Sequence, residues 1–340
     1  MSLSAGLSFD MMKKRPFWRT EPANIMEVYS MNKRPVLFDS DPGIDDFFAW
    51  MLLQAADQFE LKAVTTVPGN ATLEAVTRNA LGIAKLLHTP DSVRVAAGSP
   101  RHMLRPLELC DVHGPTGLGT LNLEGDEGRL CEKHAWDVLY EEAVKAEGRL
   151  EIVAVGPLTN LGIAFFKYPN LPKMIKQITV MGGSTGIGNM TPFGEANIAH
   201  DPHAAAIVFS SGVPITMVGL NALPPCRMTK EQMEELMPAN LNPQIREVCL
   251  SLAEFRQGIP LWDAITVAAL LDEKFAEFQE FGVDIETRSP VSEGMTVVDM
   301  LCSKEFFADE DVPNKVRVAM NTDAERYFAL FRNMFCHYCC

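Results

Sequence analysis

Asp39, Asp41, Asp45 and Asp46 lie within eight residues in the segment Val36-Leu-Phe-Asp-Ser-Asp-Pro-Gly-Ile-Asp-Asp46, where an apolar strand turns through Pro42-Gly43 towards a helix. Like charges in a partly dry site disfavour ionisation, so such a set needs a proton or a cation among its members. Oxygen-only ligation suits a hard divalent ion, calcium or magnesium, rather than zinc, which selects Cys and His. Asp39 and Asp41 are two apart and share one face of a continuing strand, while Asp45 and Asp46 open the helix. Capping explains one or two acidic residues at a helix start, not four. The segment is not an EF-hand, because Ile44 stands at the glycine position and Trp50 at the bidentate Glu position.

Asp-x-Asp after an apolar strand also fits the nucleophile and acid of haloacid-dehalogenase-type phosphatases, which would be covalent phosphoryl chemistry. The usual Thr or Val two residues after the second Asp is absent here, and Pro42-Gly43 leads to a second acidic pair. A dinucleotide loop is excluded at Gly182-Gly-Ser-Thr-Gly-Ile-Gly-Asn189, since Thr191 stands where the last glycine is needed. Beyond that loop, Asn189, Glu195 and Asn197 carry donors and acceptors suited to sugar hydroxyls, in a stretch too irregular to read as a helix face. His113, in Val112-His-Gly-Pro115, is either a loop residue or a contact to a ligand. Asp263, after Trp262 at the start of the apolar run Ala264 to Leu271, reads as a helix cap or as part of the acidic site.

The elements that must position these groups alternate. Short β-branched runs are expected as strands at Pro35 to Phe38, Leu61 to Val67, Arg94 to Ala97, Glu151 to Val155, Gln177 to Met181 and Pro214 to Val218. Helices are expected at Asp45 to Gln58, Leu73 to Leu87, Ala135 to Glu147, Thr159 to Tyr168 and Asp201 to Ser211. A helical hairpin follows over Thr229 to Leu271, then a late strand pair and a closing helix over Thr296 to Phe331. This pattern predicts an α/β fold, a Rossmann-like open and mainly parallel sheet flanked by helices. Nearly every informative cluster follows a strand (Asp39 to Asp46, Pro68 to Asn70, Gly156 to Asn160 and Gly182 to Asn197), which places these in the crevice beyond the strands' carboxyl ends.

The chain has 340 residues, with 30 basic against 44 acidic side chains and a net charge of −14. That balance argues against nucleic acid or an anionic membrane as partner. No apolar run reaches the length of a membrane span, and the basic, proline-containing first residues carry no secretory h-region. Residues 1–34 are read as an N-terminal extension, 35–335 as a single domain and 336–340 as a Cys-rich tail. Cysteines 110, 131, 226, 249 and 302 are scattered without paired spacing, which fits a reducing, cytoplasmic setting. Cys336-His-Tyr-Cys-Cys340 is half a soft-metal site at most, and a weakly packed terminus is the expectation there.

Taken in order, Asp39-Ser-Asp-Pro-Gly-Ile-Asp-Asp46, Val67-Pro-Gly-Asn70, Val112-His-Gly-Pro-Thr-Gly-Leu-Gly119, Gly156-Pro-Leu-Thr-Asn160, Met181-Gly-Gly183, Gly188-Asn-Met-Thr-Pro192, Glu195-Ala-Asn197 and Asp201-Pro202 resemble the nucleoside hydrolase family. These are metal-dependent N-ribohydrolases of nucleoside salvage, of the inosine-uridine preferring type, and the resemblance runs from about Pro35 to Phe331. It implies that Asp41 is calcium ligand and general base, that Asp46, the Val155 carbonyl and Asp263 complete the protein's calcium shell, and that Asp39 supports the site from behind. It assigns ribose hydroxyl contacts to Asp45, Asn70, Asn189, Glu195 and Asn197, with Asn189 counted beside Asp41 among the catalytic residues. It further implies calcium without an organic cofactor, a small ribonucleoside as substrate, and a homodimer or homotetramer.

Less selective members carry a His before the Asp at 263, and this chain has Trp262, which cannot donate a proton to a departing base. A flat apolar partner favours the larger ring, so the expectation is purine ribonucleosides, inosine and guanosine foremost. His113 matches the His-Gly loop of the less selective branch, which keeps a broad purine and pyrimidine specificity as the alternative. Asn221-Ala222 departs from the family's Asp-Val or Asp-Leu and is expected to be structural. Two other classes compete: the phosphatase, and a calcium-dependent nucleoside-binding protein without catalysis.

Overall fold

The computed structural model describes residues 33–222, 228–256, 258, 260–300 and 314–340. Almost all of the expected N-terminal extension, and cysteines 226 and 302, lie outside the described residues.

The elements follow the expected alternation: β1 (Arg34–Ser40), α1 (Ile44–Ala55), β2 (Phe59–Thr66), α2 (Leu73–Leu86), β3 (Arg94–Ala97), α3 (Ala135–Ala146), β4 (Leu150–Ala154), α4 (Thr159–Lys167), β5 (Ile175–Met181), α5 (Ala196–His200), α6 (Pro202–Phe209) and β6 (Ile215–Val218). Then come α7 (Lys230–Leu236), α8 (Pro243–Phe255), α9 (Trp262–Leu271), β7 (Ala276–Ile285), β8 (Thr296–Asp299), β9 (Lys315–Thr322) and α10 (Ala324–His337). Among the described residues the strands form one nine-stranded sheet in the order β3-β2-β1-β4-β5-β6-β9-β7-β8. Seven strands pair in parallel, and β7, antiparallel to both β9 and β8, is the one of the nine that runs against the rest.

Strand β1 pairs in parallel with β2 on one side and β4 on the other. The chain winds outward from β1 to β3 and returns to β4, so the end of β1 is a topological switch point, where such sheets open a ligand crevice. Covered on both faces, β1 can be apolar along its length, and Val36, Leu37 and Phe38 are fully buried. Apolar side chains pack on both sides of the sheet. One core joins β1 to α1, α9 and α10; the other joins β4 and β5 to α3, α4 and α6.

Several expectations change. The stretch over Thr229 to Leu271 is three helices rather than a hairpin, because Pro238 and Pro243 divide what reads as one helical pattern. Strand β7 was not anticipated, and it separates β8 from β9, which do not pair with each other. Helix α10 runs to His337, and the terminus is packed: the Tyr338 hydroxyl donates to the Met51 carbonyl at 3.0 Å, and Cys340 N–H donates to the Asn240 carbonyl at 3.0 Å. The burial of Tyr338 against α1 overrides the polar, metal-like look of the tail. All six described cysteines are free thiols.

Candidate active site

Helices α1 and α9 are apolar on nearly every face and pack against each other inside the first core. Each brings acidic residues in its first turn, Asp45 and Asp46 on α1 and Asp263 on α9, where the positive end of the helix dipole offsets part of their charge. Asp263 is therefore not a cap. The N-cap of α9 is Leu261, a buried residue in the left-handed region (φ 45°). That conformation costs about 1–2 kcal/mol in a non-glycine residue, and here it aims Trp262 and Asp263 at the crevice.

Asp45, Asp46 and Asp263 have carboxylate oxygens within 4.8 Å of one another. The Asp46 carboxylate accepts from the Ser40 hydroxyl (2.6 Å), Gly43 N–H (2.9 Å) and the Asn70 amide (3.1 Å). Asp41 reaches the cluster from the end of β1. Its Oδ2 accepts from Asn70 N–H at 2.7 Å, and its Oδ1 is buried with no donor. Two glycines make room for this carboxylate, since a Cβ on Gly69 would lie 2.2 Å from Oδ2 and one on Gly156 2.8 Å from Oδ1. Asp39 lies behind, accepting from Thr65 (2.5 Å) and Asn160 (2.9 Å).

Burial pushes the Asp41 and Asp263 carboxyls well above the ordinary range, and neighbouring carboxylates push each the same way. Asp45 and Asp46 rise to about 6, chiefly by burial, with the Asp45 charge adding to the rise at Asp46. Asp39 rises to about 7 for the same first reason. Asp45 Oδ1 is a second buried oxygen without a donor in the cluster. Buried, repelling, donor-poor carboxylates of this kind fit a hard divalent cation, which would supply the missing charge.

The other expected residues gather around this base. Asn197 donates to the Val155 carbonyl (2.9 Å) and the Met181 carbonyl (3.0 Å), joining the ends of β4 and β5. Glu195 is the N-cap of the short helix α5, accepting from Asn197, Ile198 and Gly183 N–H groups. The stretch read as irregular is thus partly helical; one turn is too short to show a period in sequence. Burial raises the Glu195 carboxyl to about 7. Asn189 accepts from Ala196 N–H at 2.8 Å. His113 accepts from Ile44 N–H at Nδ1 (3.1 Å), which leaves the proton on Nε2, and burial lowers its pKa to about 4. Its loop turns on three glycines with positive φ, 114, 117 and 119, and Asn79 ties it to the Pro42 carbonyl.

Together these groups line a cavity of about 280 Å³ that includes Asp45, Asp263, His113, Trp262, Asn189 and Glu195. Asp41, Asp46 and Asp39 are buried and are not among its lining residues. Two further lining residues, Arg256 and His200, belong to no motif in the sequence. Arg256, which caps α8, donates to the Val112 carbonyl at 2.6 Å, a contact across 144 residues with no local signal. Asn221, expected to be structural, donates to the Ala319 carbonyl and accepts from Thr185 N–H.

Residues 36–329 match the family model of the inosine-uridine preferring nucleoside hydrolases. A curated relative from Shewanella sp. (strain ANA-3), named a pyrimidine-specific ribonucleoside hydrolase RihA, is 37% identical over 277 residues, 78% of this chain and 86% of its own. Among solved structures, the plant nucleoside hydrolase PpNRh1 superposes with a TM-score of 0.81 at 28% identity, covering 89% of this chain and 99% of that one. A purine-preferring ribonucleoside hydrolase from Gardnerella vaginalis gives 0.80 at 27% identity, covering 88% and 98%. The chain belongs to the inosine-uridine preferring nucleoside hydrolase family, and it is a nucleoside hydrolase.

Proposed function

We propose that this hydrolase cleaves the N-glycosidic bond of ribonucleosides with calcium held over the acidic cluster and Asp41 as general base. The observation that carries this reading is the buried, donorless Oδ1 of Asp41 beside Asp45, Asp46 and Asp263. Asp41, Asp46, Asp263 and the Val155 carbonyl would hold the ion. Bound there, calcium would lower the pKa of a ligated water and bind ribose hydroxyls.

Asp41 Oδ1 takes the proton of the attacking water, while Asn70 N–H holds Oδ2 and fixes the carboxylate's orientation. Asp45, Asn70, Asn189, Glu195 and Asn197 hold the ribose, and their oxygens stabilise the positive charge that develops at C1′. His113 presents Nε2–H to the departing base, and its Nδ1 is 3.7 Å from Asp45 Oδ1.

Trp262, in the cavity wall, supports a preference for the larger purine ring. The pyrimidine-specific name of the 37% identical relative favours a second reading, pyrimidine ribonucleosides against the same wall. Five ribonucleosides (inosine, guanosine, adenosine, uridine and cytidine), assayed for free base and ribose with and without a calcium chelator, test both. Equal release of base and ribose, lost on chelation and restored by calcium, is the expected result. Undiminished release after chelation would overturn the calcium assignment, and the ranking of kcat/KM decides between the bases.

A further inference from the structure

The segment Cys336-His-Tyr-Cys-Cys340 puts three thiols in five residues, and the proposed reaction uses none of them. Cys336 and Cys340 are exposed and Cys339 is half-buried, whereas Cys249 is buried with its Sγ 4.0 Å from the Met51 sulfur. Among the described residues, the tail's thiols and His337 do not bring three ligand atoms within 4.8 Å of one another, as Asp45, Asp46 and Asp263 do. A tetrahedral soft-metal site needs four ligands, so the chemistry open to the tail is that of its sulfurs in pairs.

The backbone selects one pair. Helix α10 ends at His337, and Cys339 N–H donates to the Cys336 carbonyl at 3.4 Å, closing a turn between residues three apart. Such a turn holds its end Cα atoms under about 7 Å apart, and a disulfide spans about 4.4–6.8 Å. Cys339 Sγ donates to the Phe335 carbonyl at 3.6 Å, so it lies back over the last helical turn, beside Cys336. Partial burial pushes the Cys339 thiol up, and the Cys336 and Cys340 thiols push the same way, which places all three within electrostatic reach. Cys340 is a poor partner for either. Its Cα is about 3.8 Å from that of Cys339, below the disulfide range. Cys339 bridges antiparallel to Leu241, and Cys340 follows it with its N–H on the Asn240 carbonyl, so the two side chains leave an extended backbone on opposite sides.

Between the two sulfurs lies Tyr338, the residue that seats the tail. Its side chain is buried, its hydroxyl donates to the Met51 carbonyl of α1 at 3.0 Å, and its carbonyl accepts from Asn242 N–H at 3.0 Å, just before α8. A bond from Cys336 to Cys339 would span a turn already closed around this anchor.

We propose that Cys336 and Cys339 form a thiol–disulfide exchange site for low-molecular-weight disulfides, and that the bond they form clips Tyr338 onto α1. Cys336, the exposed thiol of the pair, attacks one sulfur of the disulfide RSSR as its thiolate and forms a mixed disulfide, releasing RS⁻. Cys339 then attacks the Cys336 sulfur, closing the protein disulfide and releasing the second RS⁻. Two electrons pass from the protein thiols to RSSR, and the two thiol protons leave with two RSH. Excess RSH drives the same steps backwards and restores the dithiol. The carbonyl end of α10 disfavours a thiolate, so exchange is slow at neutral pH and quickens as pH rises.

The test treats the intact protein with oxidised glutathione and maps its disulfides by peptide mass. Cys336 and Cys339 should be joined, with glutathione retained on neither, and dithiothreitol should return both thiols. Cys336→Ser should leave no bond at Cys339, Cys339→Ser should trap glutathione on Cys336, and Cys340→Ser should close the bond at a rate within about twofold of wild type. In the oxidised protein the Asn242 and Cys340 amides should exchange hydrogen about tenfold more slowly, since the crosslink restrains the opened tail. Free thiols at both positions after treatment, a bond that includes Cys340, or unchanged amide exchange would overturn the proposal, and none of these results needs a variant to fold. Zinc held by the tail, with both thiols refractory to oxidised glutathione, would overturn it in favour of a metal site.

Discussion

Gly69→Ala isolates the position of one carboxylate without removing any functional group. Gly69 is not among the residues with positive φ, so alanine meets no backbone penalty there. Its Cβ would lie 2.2 Å from Asp41 Oδ2 and 3.0 Å from the Pro157 ring. Side-chain Cβ atoms do not approach heavy atoms under 3.0 Å, so Asp41 must retreat by at least about 0.8 Å, the difference between 3.0 and 2.2 Å. It then loses its alignment with Asn70 N–H. A displacement near 1 Å at a reacting group costs about a hundredfold in rate, or roughly 2.7 kcal/mol of barrier. The assay is kcat for base release at saturating calcium, with thermal unfolding run in parallel. Gly186→Ala, where an added Cβ has no heavy atom within 4 Å, is the control and should keep the wild-type rate. A Gly69→Ala protein that folds and turns over at the wild-type rate would refute the claim that the placement of Asp41 limits the reaction.

Asn160 is fully buried, donates to Asp39 and to the Thr66 carbonyl, and accepts from Ser99 N–H. Asn160→Ala leaves all three short of a partner and should destabilise the protein by about 3 kcal/mol in urea unfolding; a loss under about 1 kcal/mol would show the network to be dispensable. In calcium-free protein Asp45 and Asp46 titrate near 6 when folded, against 3.8 ordinarily. The folded state therefore binds more protons than the unfolded chain between about pH 4 and 6, and this contribution to stability is lost as pH rises through that window. Calcium should accordingly raise Tm more at pH 8 than at pH 5, and equal gains at both would contradict the coupling. Trp262→Ala should lower kcat/KM about tenfold for inosine, with a smaller effect for uridine, if stacking sets the base preference; equal losses would end the stacking argument.

The part of the site legible in the sequence is the part built from local signals. Asp39 to Asp46 announced itself because four carboxylates at a strand end have few explanations, and the alternation of strands and helices placed the other clusters at the same edge of the sheet. What stayed hidden depends on contacts between distant segments. Arg256 reaches the cavity through a bond to Val112, and His200 faces it because one helical turn follows the Glu195 cap. Strand β7 has only Phe281, Gly282 and Val283 buried in succession, with exposed Glu277, Glu280 and Asp284 around them, so its period is weak until β9 pairs with it. The closing helix looked shorter because Cys336 and His337 are polar, whereas the burial of Phe335 and Tyr338 extends it.

The role of Asp41 is tested most directly by Asp41→Asn, which keeps size and a carbonyl oxygen but removes the basic carboxylate. With calcium saturating and folding verified, kcat for base release should fall about a thousandfold, the range of a lost general base. A variant that keeps kcat within about threefold of wild type would contradict it.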